Sequence, residues 1–261
     1  MKPSLKKPAT NSDAWEREYQ KPQFLTLGTE PLSDVRDFMK WLKKQIKQEG
    51  VQQENAQKNE NVKSLTEWSV LDLGCGNGKN LYYVVDNFCA NGIGYDISPT
   101  AIALAQKHVQ ESSTVFKTLA PNLRYEARSI AYRLPLADET MDLALDVTSS
   151  NSLKESERAL FLGEVARILK PGGYFFTRAL CKDGDQNAKN LLKEFPGKET
   201  DTYILPDIGV MERIFSREDF LATYAPFFDV VHLEKTTGYQ KWGNRSYKRH
   251  YWIAYLRPLK K

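Results

Sequence analysis

The sequence predicts an α/β protein whose core is a doubly wound, mainly parallel sheet with helices on both faces. Three observations predict it. After Thr66, short apolar runs alternate with segments of helical period, the pattern of strands joined by crossover helices. The first of these runs ends in a glycine-rich turn, Asp72-Leu-Gly74-Cys-Gly76-Asn-Gly78. The next ends in an acid, Asp96, 24 positions after Asp72.

The elements follow in order. Trp15–Gln20 is an aromatic-bearing segment, with Trp15 and Tyr19 four apart and so on one face if helical. A helix begins near Ser33, with Val35, Phe38, Met39, Leu42 and Ile46 as its apolar stripe. Residues 50–64 have almost nothing apolar and read as a linker. Ser69–Leu73 is the first strand, 80–88 a helix, and Gly92–Asp96 the second strand. Ser98 and Pro99 are an N-cap and a first-turn proline for a helix reaching about Val109. Leu123–Ala127 and Met141–Leu145 are the third and fourth strands. Ser152–Glu155 has the form of a capping box, opening a helix that carries Leu160, Phe161, Val165, Ile168 and Leu169. Pro171-Gly172-Gly173 stops it, and Tyr174–Arg178 is the fifth strand. Residues 182–214 read as a polar, irregular insertion. Ser216 begins another helix, with Phe215 and Phe220 as a hydrophobic staple. Strands near Val230–Lys235 and Arg249–Leu256 end the chain. The organisation is therefore an arm, helix and linker over 1–66 and a main domain over 67–261.

Composition narrows the class. Of 261 residues, 41% are hydrophobic and 27% charged, a globular balance. No apolar run approaches the roughly 20 residues that span a membrane, and the basic N-terminus lacks the apolar stretch of a secretory signal. Cys75, Cys89 and Cys181 are odd in number and far apart, and the three histidines have no metal-ligand spacing. Neither a disulfide framework nor a metal site is expected, and a reducing cytoplasm is the simplest setting. Eight Lys/Arg against one acid follow Val231. They form either a solvated edge or a patch for an anionic partner. The polar helix faces specify no oligomeric state.

The glycine turn discriminates between ligands. A dinucleotide loop, G-x-G-x-x-G, would need a third glycine at position 79, where Lys79 stands. A phosphate-binding P-loop would need Ser or Thr after Gly78-Lys79, and Asn80 is there. The turn suits a ligand lying against backbone, and Asp96 can accept hydrogen bonds from two ribose hydroxyls.

From about Val70 to Arg178 the chain resembles the class I methyltransferases that use S-adenosylmethionine. Val70–Asn80 is similar to their first motif, Gly92–Gln106 to the second, Tyr132–Ala144 to the segment around the fourth strand, and Glu164–Phe176 to the helix, turn and strand beyond it. The resemblance implies a seven-stranded sheet in the order 3-2-1-4-5-7-6 with the last strand antiparallel. It implies S-adenosylmethionine as cofactor and S-adenosylhomocysteine as product. Asp72 and Gly74 would face the methionine part, and Gly76 and Gly78 would allow close backbone approach. Cys75 would line the pocket, and Asp96 would hold the ribose with Ile97 beside the adenine. Relatives place an aspartate a few residues before the Leu134-Pro135 pair. Here Ser129-Ile130-Ala131 stands instead, leaving Ile130 to pack on the adenine and the Ala131 amide to bond it. Asp146, Val147 and Thr148 would meet the transferred methyl. Asp146 is either an orienting or proton-accepting group or a turn aspartate.

The sulfonium donor is already activated, so alignment and exclusion of water are the protein's main tasks. Trp15 and Tyr19 form either a lid over the site or a hydrophobic anchor. Arg178, Arg213, Tyr239, Trp242 and His250, with Tyr203 and Met211 of the insertion, are acceptor-side candidates. The acceptor is expected to be a small molecule with an O or N nucleophile. A tRNA, rRNA or protein acceptor, or cofactor binding without catalysis, is the alternative. Gly76→Val should abolish binding of S-adenosylmethionine in a calorimetric titration; near-normal affinity would refute the placement of the ligand on this turn.

Overall fold

The computed structural model describes residues 10–23, 27–55, 65–88, 91–111, 122–242 and 245–259. The expected alternation is present. β1 (Ser69–Leu73) leads to α3 (Lys79–Asn87) and β2 (Asn91–Asp96), then α4 (Pro99–Glu111) and β3 (Leu123–Ala127). β4 (Met141–Val147) precedes α5 (Glu155–Ile168) and β5 (Leu169–Leu180). Ahead of them lie α1 (Asn11–Gln20) and α2 (Ser33–Asn55). After them come α6 (Gln186–Glu194), β6 (Thr202–Ile204), β7 (Met211–Arg213), α7 (Arg217–Tyr224), β8 (Phe228–Trp242) and β9 (Arg245–Pro258).

Among the described residues the main sheet has seven strands in the order β3-β2-β1-β4-β5-β9-β8. β1 to β5 pair in parallel, and β9 runs antiparallel to both β5 and β8. Counted within this sheet alone, that is the expected 3-2-1-4-5-7-6. Strand order reverses between β1 and β4, so loops after β1, β2 and β4 converge on one crevice.

Alternation along the strands builds a core on each face. Val70, Leu143, Leu145 and Phe176 face α2 and α3, while Leu71, Leu73, Ala144 and Phe175 face α5 and α7. The α2 stripe is buried as its spacing requires, with Val35, Phe38, Met39 and Leu42 fully enclosed. The Phe38 ring lies 5.0 Å from Phe176 and 4.8 Å from Tyr255, centroid to centroid.

Several boundaries differ from expectation, each for a local reason. α2 runs on to Asn55 through residues taken as linker, because Gln and Glu have good intrinsic helix propensity even where no apolar stripe marks the segment. The rest of that stretch, 56–64, lies outside the described residues. The helix after β4 is not capped by Ser152: Ser150–Ser152 is a 3₁₀ turn, and the Lys154 amide donates to Glu157 at 2.9 Å. On that helix Leu160 is exposed while Leu162 is buried. β5 begins at Leu169, with Pro171-Gly172-Gly173 forming an irregularity opposite β4. Residues 182–214 are ordered, with α6 capped by Asp185 and a β6–β7 hairpin. The Ser216 cap and the Phe215–Phe220 contact are formed as expected. β8 and β9 are longer than expected. Their pairing runs from Phe228↔Pro258 to Trp242↔Arg245, past the end of β5, where Leu180 pairs Tyr251. That extension carries the hairpin over the carboxyl edge of the sheet.

Truncating Phe38 to alanine should cost about 3–5 kcal/mol, read as a lower midpoint in urea unfolding with an unchanged slope.

Candidate active site

The turn after β1 is tied to the end of β2. The Gly74 and Cys75 amides both donate to the Tyr95 carbonyl, at 2.7 and 2.9 Å, and the Gly76 amide donates to Asp96 at 2.9 Å. Gly76 has φ +55°, and a Cβ there would stand 2.8 Å from the Tyr19 hydroxyl. Its close approach is thus to α1 as well as to any ligand. Gly78 serves packing instead: at φ +76° it precedes α3, and a Cβ would stand 2.8 Å from both the Ala105 side chain and the Tyr125 hydroxyl. That corrects its expected role in ligand approach.

Three carboxylates sit at these strand ends and differ in how they are satisfied. Asp146 is buried and fully engaged. Its oxygens accept from the Ser149 amide and hydroxyl (3.2 and 2.6 Å), the Ser150 amide and hydroxyl (3.0 and 2.5 Å) and the Thr177 hydroxyl (3.2 Å). Those bonds make it part of the turn after β4, and like Asp72 it lines neither cavity described below. Asp96 accepts one amide on each oxygen, Gly76 and Ser98, both at 2.9 Å. Burial raises its pKa. Asp72 is buried with both oxygens unpartnered among the described residues. The Leu81 amide at the start of α3 lowers its pKa a little without reaching hydrogen-bond geometry. Burial, then the charges of Asp146 and Asp96, lift it to about 8. A buried carboxylate without donors is costly unless a cation or donor meets it.

Two adjoining cavities open above the turn. The smaller, about 220 Å³, is lined by Asp96, Ile97, Arg128, Ser129, Ile130 and Leu153. The larger, about 560 Å³, is lined by Cys75, Gly76, Lys79, Arg178, Leu180, Glu212, Tyr239 and Tyr251. Gly74, Val147, Thr148, Trp15 and Tyr19 border both. Thr148 has φ +57°, a strained conformation for a β-branched residue, held by its amide bond to the Arg178 carbonyl at 2.9 Å. The Ala131 amide donates to the Ser129 hydroxyl at 3.2 Å, and Ala131 lines neither cavity. Its expected bond to a ligand is therefore not offered.

α1 forms a roof over the junction. The Asn11 side chain donates to the Ser152 carbonyl at 3.0 Å. Glu16 accepts from the Ser98 hydroxyl (2.6 Å) and from the Thr100 hydroxyl and amide (2.6 and 3.2 Å), clasping α1 to the start of α4. Burial works to raise the Glu16 pKa, but the bonds from Ser98 and Thr100 outweigh it and hold it below the ordinary value. Behind α1, the Asn77 side chain donates to the Gly28 carbonyl and Asn80 accepts from the Leu32 amide. The two asparagines hold the chain before α2 against the glycine turn. Asn11, Glu16, Arg128, Ser149, Leu153 and Glu212 carried no signal in the sequence, because each acts through partners far along the chain.

Of the acceptor-side candidates, Arg178 and Tyr239 line the larger cavity. Arg178 Nε pairs with Asp34 at 2.9 Å and its guanidinium lies 3.3 Å from the centre of the Tyr251 ring. Arg213 and His250 do not line it. Arg213 donates to the Thr200 and Ile214 carbonyls and to Asp219. The His250 ring lies 3.2 Å from the Asp183 carbonyl. Both are engaged with residues of the insertion and its flanks. Tyr203 is fully buried, and Met211 also lies outside both cavities. The side chain of Trp242, and Cys89, lie outside the described residues. The basic C-terminal segment is partly paired: Arg249 bonds Asp185, Arg257 bonds Glu49, and Lys235 reaches the Asp183 carbonyl.

Residues 71–177 match the family described as Methyltransferase domain. The matched stretch is under half of the chain, and the sheet order around it is the one the resemblance implies. The chain is 34% identical over 107 residues to the phthiotriol/phenolphthiotriol dimycocerosates methyltransferase of Mycobacterium tuberculosis, covering 41% of this chain and 35% of that protein. It is 32% identical, over the same shares, to the fatty-acid O-methyltransferase of Mycolicibacterium smegmatis. The chain thus spans about a third of the length of these relatives. A crystal structure of a SAM-dependent methyltransferase from Methanosarcina mazei shares the fold, with a TM-score of 0.65 and 20% identity over 75% of this chain and 94% of that one. Among the described residues no helix is long and apolar enough to cross a membrane.

Glu16→Ala should release α1 while leaving the sheet intact. Hydrogen exchange of the α1 amides should speed by roughly tenfold or more, as expected for losing a charged multi-bond contact. Lowering the pH through the depressed pKa of Glu16 should do the same in the wild type, since a carboxylate of lowered pKa contributes only while ionised.

Proposed function

We propose that this chain transfers a methyl group from S-adenosylmethionine to an oxygen or nitrogen of a small molecule with an apolar body. The observation that carries the reading is Asp72, a buried carboxylate whose oxygens have no hydrogen-bond partner among the described residues, at the foot of the glycine turn. A zwitterionic, cationic ligand meets that need, and its α-ammonium is the group Asp72 would hold. Asp96 keeps unused lone pairs on both oxygens for ribose hydroxyls, and Ile97 and Ile130 give the smaller cavity the apolar surface an adenine needs. The residues present therefore fit the group.

When bound, S-adenosylmethionine supplies a methyl already activated by its sulfonium. The chain's own residues align and enclose. Val147 and Thr148 border both cavities and so stand where methyl and acceptor would meet. Trp15 and Tyr19 roof the junction, presenting ring faces suited to a cation and shutting out water. In this reading residues 67–261 carry the transfer, and the N-terminal arm and the insertion after β5 select the acceptor. The leucine and aromatic walls of the larger cavity, and relatives named for lipid and fatty-acid methylation, favour a small molecule. The pairing of Arg249 and Arg257 within the chain takes weight from an RNA acceptor.

The test is proton linkage. With Asp72 titrating near 8, a cation must displace its proton at lower pH. Affinity for S-adenosylmethionine should therefore rise between pH 6 and 8, by up to about tenfold per unit. Calorimetry at pH 7 in buffers of different ionisation heat should record release of close to one proton. Asp72→Asn should remove the linkage and weaken binding. A pH-independent affinity with no proton release in the wild type would sink the assignment.

A further inference from the structure

The insertion contributes Glu212 to the lining of the larger cavity, beside Tyr239, Gln240 and Tyr251 of the β8–β9 hairpin; Glu30, ahead of α2, is the other carboxylate there. Glu212 on β7 is buried yet lines that cavity. Its cross-strand partner on β6 is Tyr203, whose hydroxyl donates to Glu212 Oε2 at 2.5 Å. The same hydroxyl accepts from Arg249 Nη2 at 2.9 Å, and Arg249 Nε is paired with Asp185 at 3.1 Å. Asp185 is anchored in turn, accepting from the Ala188 amide at 2.7 Å and the His250 amide at 2.8 Å. Tyr203, Arg249 and Asp185 are all buried.

This chain of bonds orients Glu212 rigidly and uses only one of its oxygens. Oε1 has no hydrogen-bond partner among the described residues, and it is not sealed from the cavity. The network holds two carboxylates against one guanidinium, so it is net negative if both are ionised. Burial raises the Glu212 pKa, against the opposing pull of Arg249 and the Tyr203 hydroxyl. The cations that face the same cavity, Lys79 and Arg178, are neighbours of one another. Burial and then the charge of Arg178 lower the Lys79 pKa. Lys79 begins α3 at the glycine turn, and Arg178 is bonded to Asp34 of α2. Lys79 thus lies beside the glycine turn, and the charge of Arg178 is already met by Asp34 with its guanidinium stacked on the Tyr251 ring.

We propose that Glu212 selects the methyl acceptor: its free oxygen accepts a hydrogen bond from an acceptor hydroxyl, and its position disfavours an acceptor carboxylate. The physical basis is asymmetric. A hydroxyl gives the unpaired oxygen a donor, whereas a carboxylate brings a like charge into a desolvated wall. The apolar remainder of the acceptor would lie along Leu27, Leu32, Leu180 and Tyr239, which line the same space. The proposal rests on the methyltransferase reading above and chooses, within it, an alcohol over an acid.

Calorimetric titration with octan-1-ol and with octanoate tests it, with S-adenosylhomocysteine present at saturation. The alcohol should bind the wild type at least about tenfold more tightly than the acid. Glu212→Gln, which keeps the shape and removes the charge, should reduce that preference below about threefold without changing affinity for S-adenosylhomocysteine. Equal or tighter binding of octanoate to the wild type, no binding of octan-1-ol at about 5 mM, or an unchanged preference in a folded Glu212→Gln protein would each overturn the proposal. If that variant does not fold, the two wild-type affinities decide alone. Failure of the wild type to bind S-adenosylhomocysteine would instead strike the cofactor reading, so the two failures are distinguishable.

Discussion

The site depends on the hydrogen bonds that fasten the β1 turn to the end of β2. Three consecutive amides, from Gly74, Cys75 and Gly76, are bound by one carbonyl and one carboxylate of Tyr95 and Asp96. That arrangement fixes the backbone that a ligand would lie on, and it requires left-handed φ angles that only glycine adopts cheaply. It also explains why Asp96 is poised rather than spent: each oxygen accepts one backbone amide and keeps room for another donor.

Around that turn the electrostatics are graded. Asp146 meets five donor groups, Asp96 is partly satisfied, and Asp72 has no partner among the described residues. Burial, and then the charges of Asp146 and Asp96, raise the cost of ionising Asp72. A cation is the natural complement to such a floor. The roof is separate in origin: α1 is held by Glu16 and Asn11 to two loops of the main domain, so enclosure can change without disturbing the floor.

The acceptor side follows a different logic. Its wall comes from the insertion and from a hairpin, β8–β9, that overruns the sheet edge. Tyr203, Arg249 and Asp185 form a buried polar chain ending at Glu212, and every member but the last is satisfied by the protein itself. Such networks are stable only when their geometry is complete, which makes the one open oxygen informative.

Periodicity and turn chemistry carried most of the fold. The strand ends at Leu73 and Asp96, the caps at Ser98 and Ser216, and the α2 stripe were all legible because each depends on residues a few positions apart. Ser152 and the insertion were misread for the complementary reason: the 3₁₀ turn at Ser150 is fastened to Asn11 and Leu180, and the insertion to Arg249 and His250, residues far along the chain. The same division governs the site. The sequence by itself determined the sheet, the glycine turn and the acid that follows it, since these are local and chemical. Only the tertiary structure decided that Asp146 and Arg213 are engaged by other groups of the protein and that Asp72 has no partner among the described residues. It also decided that Glu16 clasps the roof and that Glu212 faces the larger cavity. Whether a polar group is free or engaged depends on neighbours that folding alone brings within hydrogen-bond reach.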